Sequence, residues 1–246
     1  MCIRDSYDDP RLFSSYQQLR ALDGRLNDVV EKPALISLMP TIDGAAADLG
    51  CGTGDMCRWI AGQGAASVHG YDPSEKMLAQ AKAVSSGYDN VTYQKMAIEQ
   101  INLGSRTFQL VVSGLALHYV ADFQTVAAHV EEALTPGGTF LFSVEHPLLT
   151  CSTRQWHLGE DGARLHWPVD NYLDEGPRTV SWMGLNDVPR QHRTVATYVN
   201  DVIASGLRIH RLLEPRPDHA AISAYPRLAD QIRRPPFLII RADKPL

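Results

Sequence analysis

Charge of one sign is nowhere concentrated in this chain. Its 23 basic and 28 acidic residues leave a net charge of -5, and no basic run is longer than two residues. A phosphate backbone would find no electrostatic footprint here, which argues against a DNA or RNA substrate. Cysteine is scarce too. Cys2, Cys51, Cys57 and Cys151 form no CxxC pair, and no histidine spacing completes a zinc pattern. Reduced thiols, no metal and a cytoplasmic setting are the expectation. No apolar run reaches the roughly 18 residues that span a bilayer, and no signal-peptide core is present, so no membrane partner is expected. Residues 1–6 resemble a translated library adapter and carry no expectation about the fold.

What remains is an ordinary globular balance. The chain has 246 residues, 44% hydrophobic and 21% charged, enough for one α/β domain with an unaided core. Between residues 45 and 145 strand-like and helix-like segments alternate. Short apolar or β-branched runs at 45–49, 67–71, 91–95, 108–113 and 139–144 suit buried parallel strands. Helical patterns lie between them at 55–61, 74–84 and 122–134. The last places Phe123, Val126, Ala127 and Val130 on one face, with Asp122 as N-cap. Pro136-Gly137-Gly138 supplies a turn before the fifth strand. Residues 146–190 differ, with Trp156, Trp167 and Trp182 among prolines and glycines. They read as a long loop-like insertion over the sheet edge. The α/β pattern resumes with a helix over 194–205, strands over 207–214 and 237–242, and a short helical stretch near 226–233. Repeated βα units predict a doubly wound, mostly parallel sheet.

The chemistry is carried by Asp48-Leu49-Gly50-Cys51-Gly52-Thr53-Gly54. A strand enters, the chain turns on glycines, and a helix leaves. Backbone N–H groups at such a turn can meet a polar or anionic ligand group at close range. Asp72 ends the next predicted strand, 18 positions further on (54 to 72). A doubly wound fold places a ribose-binding carboxylate there. The competing reading makes Asp72 a cap for the helix that starts at Pro73. The turn is G-x-G-x-G after an acid rather than the dinucleotide G-x-G-x-x-G. An acid at Asp48 suits an amino group better than a pyrophosphate, which it would repel.

These residues resemble motif I of the class I (Rossmann-like) methyltransferases that use S-adenosylmethionine (SAM). Leu134-Thr135-Pro136-Gly137-Gly138 is similar to that family's turn before strand five. Residues 108–119, with Leu115-Ala116-Leu117-His118-Tyr119, resemble its fourth strand and loop in small-molecule enzymes. Residues 7–16 resemble the N-terminal segment that closes over SAM. The resemblance implies a seven-stranded sheet and SAM as cofactor. It implies a division into an N-terminal helical cap (7–44), a SAM-binding core (45–145), an insertion or acceptor lid (146–190) and a C-terminal sheet half (191–246).

Carried over by position, Gly50, Cys51, Gly52 and Gly54 would line the methionine and ribose portions. Asp48 would meet the methionine amino group and Asp72 the ribose hydroxyls. Ile98 would offer its N–H to the adenine, with Met77 packed nearby. Leu115 would lie by the sulfonium and Tyr16 in the closing segment. Two positions depart from the family: Ala97 stands where an acid often precedes the adenine contact, and Gln109 replaces an aspartate in strand four. His118 and His146, with Glu145, are the candidate general bases, because they follow strands four and five. The expected acceptor is a small molecule methylated at O, N or C. A protein or RNA methyltransferase, and a SAM-binding regulatory module without catalysis, stand as alternatives. The aromatic insertion would wall the acceptor pocket or plug the sheet end.

Overall fold

The computed structural model describes residue 13, residue 18 and residues 22–246 apart from 154, 183 and 184. A π-helical turn, Asn27–Glu31, runs directly into α1, Lys32–Ile36, whose Pro33 sits in the first turn, where no N–H is needed. Alternation follows: β1 (Ala45–Leu49), α2 (Asp55–Gly62), β2 (Ser67–Asp72), α3 (Glu75–Val84), β3 (Val91–Lys95), β4 (Phe108–Gly114), α4 (Phe123–Ala133) and β5 (Leu134–Glu145). Side chains fix the helix starts. Ser74 caps α3 by accepting from Met77 N at 3.2 Å, and Asp122 caps α4 by accepting from Thr125 N at 3.0 Å.

The insertion is ordered differently from the loop that its composition suggests. A short α5 (Pro147–Thr150) leads into one antiparallel hairpin, β6 (His157–Leu158) with β7 (Arg164–His166). A longer hairpin follows, β8 (Gly176–Trp182) with β9 (Leu185–His192), so the excursion ends two residues past 190. The chain returns through α6 (Val195–Ala204), β10 (Arg208–Leu213), α7 (His219–Ala224) and β11 (Phe237–Asp243).

Seven strands form one sheet in the order β10-β11-β5-β4-β1-β2-β3. β1 to β5 pair in parallel, and β11 lies antiparallel between β5 and β10. Both faces are covered, so successive strand residues are buried on opposite sides. Phe140 and Phe142 join Phe123 and Tyr198 on one face, whereas Leu110, Leu141 and Ile239 join Leu35 and Ile60 on the other. Each such side chain contributes about 1.5–3 kcal/mol by leaving water. The turn expected at 136–138 is a bulge inside β5: Phe108 pairs with Leu134 and Leu110 with Thr139. Gly137 takes φ 76° there. The strand therefore starts five residues earlier than the apolar run at 139–144 indicates. The strand order reverses between β1 and β4, and a crevice opens at their carboxyl ends.

Candidate functional site

A cavity of about 620 Å³ lies at that crevice, within the range of small-ligand sites. One half is built by the glycine turn. Gly50 sits at φ 76°, and a Cβ there would come within 2.4 Å of the Ala116 Cβ, so only glycine lets the loops after β1 and β4 meet. A Cβ on Gly52, at φ 52°, would meet nothing within 4 Å, leaving the backbone open to the cavity. Gly54 is different. It is the left-handed N-cap of α2, set against Tyr93, and it does not line the cavity. It turns the chain into α2, whereas Gly50 and Gly52 line the cavity.

Asp72 is buried at the end of β2. Its Oδ2 accepts from Gly52 N and its Oδ1 from Ser74 N, both at 2.9 Å. The helix cap is Ser74, so Asp72 is a strut between the glycine turn and the α3 start. The carboxylate lines the cavity. Asp48 lies deeper, receiving the Cys57 thiol at 3.3 Å on Oδ2. Burial pushes its carboxyl up to about 7, the Cys57 bond pulls it down, and Asp72 and Glu31 push it up. Cys51, Met77, Ile98 and Leu115 line the same cavity, as do Ala97 and Glu99. Leu115 takes φ 54°, a conformation that costs a non-glycine residue of order 1–3 kcal/mol. Its N–H holds it there by donating to Ser143 O at 3.0 Å and Ser143 Oγ at 3.1 Å. Tyr16 lies outside the described residues.

The two candidate histidines separate. His146 does not line the cavity. Its Nδ1 accepts from Leu148 N at 3.1 Å as the cap of α5, and its Nε2 meets Glu214 at 2.8 Å. With both nitrogens engaged in packing the chain end of β5, it has no lone pair to offer a substrate. His118 lines the cavity, is 2% exposed, and stacks on Tyr119 at 4.3 Å. Burial, then Arg190 and Arg193, hold it well below the ordinary histidine range, so the ring is neutral. Glu145 N–H points to His118 Nδ1 at a long 3.5 Å. Glu145 is ion-paired to Arg190.

One cavity carboxyl has no signature in its sequence neighbourhood. Glu31, on the π-helical turn, is 6% exposed and accepts from Ser143 Oγ at 2.5 Å. Burial pushes it up to about 7 against the Ser143 hydrogen bond and Lys32. π turns recur at functional sites. A Cβ on Gly114 would lie 3.7 Å from Glu31 Oε1, so the carboxyl stands over the β4 end beside Leu115. Arg25, Arg227 and Arg164 also reach the outer half of the cavity. The described tryptophans of the insertion do not. Trp156 and Trp167 pack edge to face at 5.5 Å, with Arg234 over Trp167 at 4.1 Å. They pack with each other and with Arg164, Arg233 and Arg234 beside the first hairpin, and among the described residues of the insertion Arg164 lines the cavity. Gln109 is structural: its Oε1 accepts from Asp43 N at 3.0 Å and Gly44 N at 2.8 Å, fixing the entry to β1.

Comparison with known proteins gives the same picture. Residues 47–142 match the family model described as methyltransferase domain. The crystal structure of an S-adenosylmethionine dependent methyltransferase from Mesorhizobium loti is 42% identical, with a TM-score of 0.81 over 87% of this chain and 97% of that one. An uncharacterized protein of Haemophilus influenzae is 32% identical over 97% of this chain and 96% of its own length. A trans-aconitate 2-methyltransferase of Deinococcus radiodurans is 31% identical over 57% of this chain and 54% of its own length.

Proposed function

The chain belongs to the class I SAM-dependent methyltransferases, and from that premise we propose that its acceptor is a small molecule held in the outer half of the cavity. The observation that carries this is the cavity itself. It is about 620 Å³, sized for a cofactor and a small partner, and it is bordered by the Asn27–Glu31 turn and the Pro226–Ile232 turn. A polymer would need an open groove and, for RNA, a basic one. The partial likeness to a trans-aconitate enzyme supports a small acceptor without naming it. No helix among the described residues is long and apolar enough to cross a membrane.

The residues present fit SAM. In this reading Asp72, at the cavity wall where β2 ends, holds the ribose hydroxyls, and Asp48 receives the methionine ammonium. Gly50, Cys51 and Gly52 let the backbone approach. Ile98 and Met77 shape the adenine end, and Leu115 stands at the sulfonium end. When bound, SAM supplies a methyl group already activated on a sulfonium. The chain's own work is then to align the acceptor and exclude water, which in favourable cases is worth roughly 7–11 kcal/mol of the barrier. His118 borders the acceptor as a neutral ring. Residues 22–44 form the described part of a cap, and the β6–β7 hairpin borders the cavity through Arg164.

The test is incubation with SAM labelled in the methyl group and a cell extract split into a small-metabolite fraction and a macromolecular fraction. Label is expected in the small-metabolite fraction. Label confined to protein or RNA would overturn the small-molecule reading.

A further inference from the structure

Glu31 has a placement that the roles above leave unused. It is a buried carboxyl on a turn far from the glycine motif, yet it reaches the cavity where β4 and β5 end. One oxygen is fixed by the Ser143 hydroxyl at 2.5 Å. That hydroxyl also accepts from Leu115 N at 3.1 Å, so the carboxyl is tied to the strained residue at the sulfonium end. The other oxygen has no protein hydrogen bond among the described residues. The histidines are poorer bases here: His146 does not line the cavity, and burial with Arg190 and Arg193 holds the His118 ring well below the ordinary histidine range.

We propose that Glu31 is the general base of the methyl transfer and that the acceptor is accordingly a nucleophile that arrives with its proton, a hydroxyl or an amine. The inference rests on the methyl-transfer reading. The acceptor's O–H or N–H bond breaks toward the free oxygen of Glu31, which gains the proton. The electron pair left on the acceptor atom forms the new bond to the methyl carbon. The carbon–sulfur bond breaks, its pair stays on sulfur, and the neutral thioether leaves. A carboxylate acceptor has no proton to give up and would need none of this.

The groups facing Glu31 set the balance. Lys32 and Asp28 lie on its own segment, Ser143 on β5 and Asp48 on β1, with Arg25 ion-paired to Asp28. With the carboxyl held near 7 by burial, it is half ionised where a base works best.

The experiment compares wild type and Glu31→Gln for label transfer from methyl-labelled SAM into a small-metabolite extract between pH 5.5 and 8.5. The binding of S-adenosylhomocysteine serves as the fold and cofactor-site readout. Wild-type transfer is expected to rise through a midpoint near 7. Glu31→Gln is expected to transfer about 100-fold less or worse, without that midpoint, and to bind S-adenosylhomocysteine within threefold of wild type. Ser143→Ala, which removes the bond favouring the ionised form, is expected to shift the midpoint to higher pH. Transfer by Glu31→Gln within threefold of wild type, or with the same pH midpoint, overturns the base assignment. So does an NMR titration of the Glu31 carboxyl that finds an ordinary carboxylate value with S-adenosylhomocysteine bound. If wild type labels no metabolite but methylates protein or RNA, the small-molecule reading fails by itself.

Discussion

Asp72 and Asp48 are both buried aspartates beside the glycine turn, and their surroundings set them to different tasks. Asp72 receives two backbone N–H groups and lines the cavity. Its replacement by alanine is expected to weaken SAM binding by about 1.5–3 kcal/mol for each charge-assisted bond lost. Calorimetry on a folded variant checks this, and unchanged affinity would remove Asp72 from the cofactor site. Asp48 receives no backbone N–H among the described residues, and burial holds it near 7. If it pairs with the methionine ammonium, binding pulls it into the ionised form. SAM affinity should then rise as pH goes from 6 to 8, with proton release at the lower end. Titrations in buffers of different ionisation heat measure both, and a flat affinity with no proton release would contradict the pairing. These two aspartates were legible because the motif that places them is local. Glu31 was not: Val29-Val30-Glu31-Lys32-Pro33 carries no pattern, and only tertiary placement brings it to Ser143 and Leu115.

At the scale of elements, legibility followed punctuation. β1 and β3 match their apolar runs, and β2 and β4 extend them by one residue, because glycine, proline and cap residues bound each one. The hairpins of the insertion were missed. Their strands mix proline, glycine and arginine, and in the β8–β9 hairpin the stability comes from pairing across the turn rather than from an alternating pattern. His146 was misread for a related reason. Its position after β5 is what a base would have, but the short α5 that starts there takes its ring as a cap. His146→Gln should cost about 0.5–2 kcal/mol of stability, as loss of a cap does, while transfer per folded molecule stays within threefold of wild type. Denaturant unfolding and kinetics on the same sample check this. A hundredfold loss in rate with stability intact would return His146 to catalysis.

For the whole molecule, two buried carboxyls with raised values make stability depend on pH. Glu31 moves from 4.5 to about 7 and Asp48 from 3.8 to about 7. Between the unfolded and folded values, the unfolded chain has released these protons and the native chain still holds them. Stability therefore falls as pH rises across that window. Denaturant unfolding is expected to give a lower midpoint at pH 7.5 than at pH 5. Glu31→Gln should flatten part of that decline. An unchanged slope in the variant would mean that Glu31 titrates like an exposed glutamate. The doubly wound order, by contrast, was legible in outline from the βα repeats alone. What those repeats could not reveal was the part of the cavity lined by Arg25, Glu31, Arg164 and Arg227, which come from three separate stretches of the sequence.

The central claim is that the methyl group is delivered at the Leu115–Glu31 end of the cavity. The most direct measurement is an isotope-filtered NOE experiment on the protein with SAM carrying ¹³C in its methyl group and no acceptor added. Cross-peaks from that methyl to Gly114 and Leu115 backbone protons and to the Glu31 side chain are expected. Cross-peaks confined to the Thr53–Met56 side of the cavity, or none in a sample that binds SAM, would contradict it.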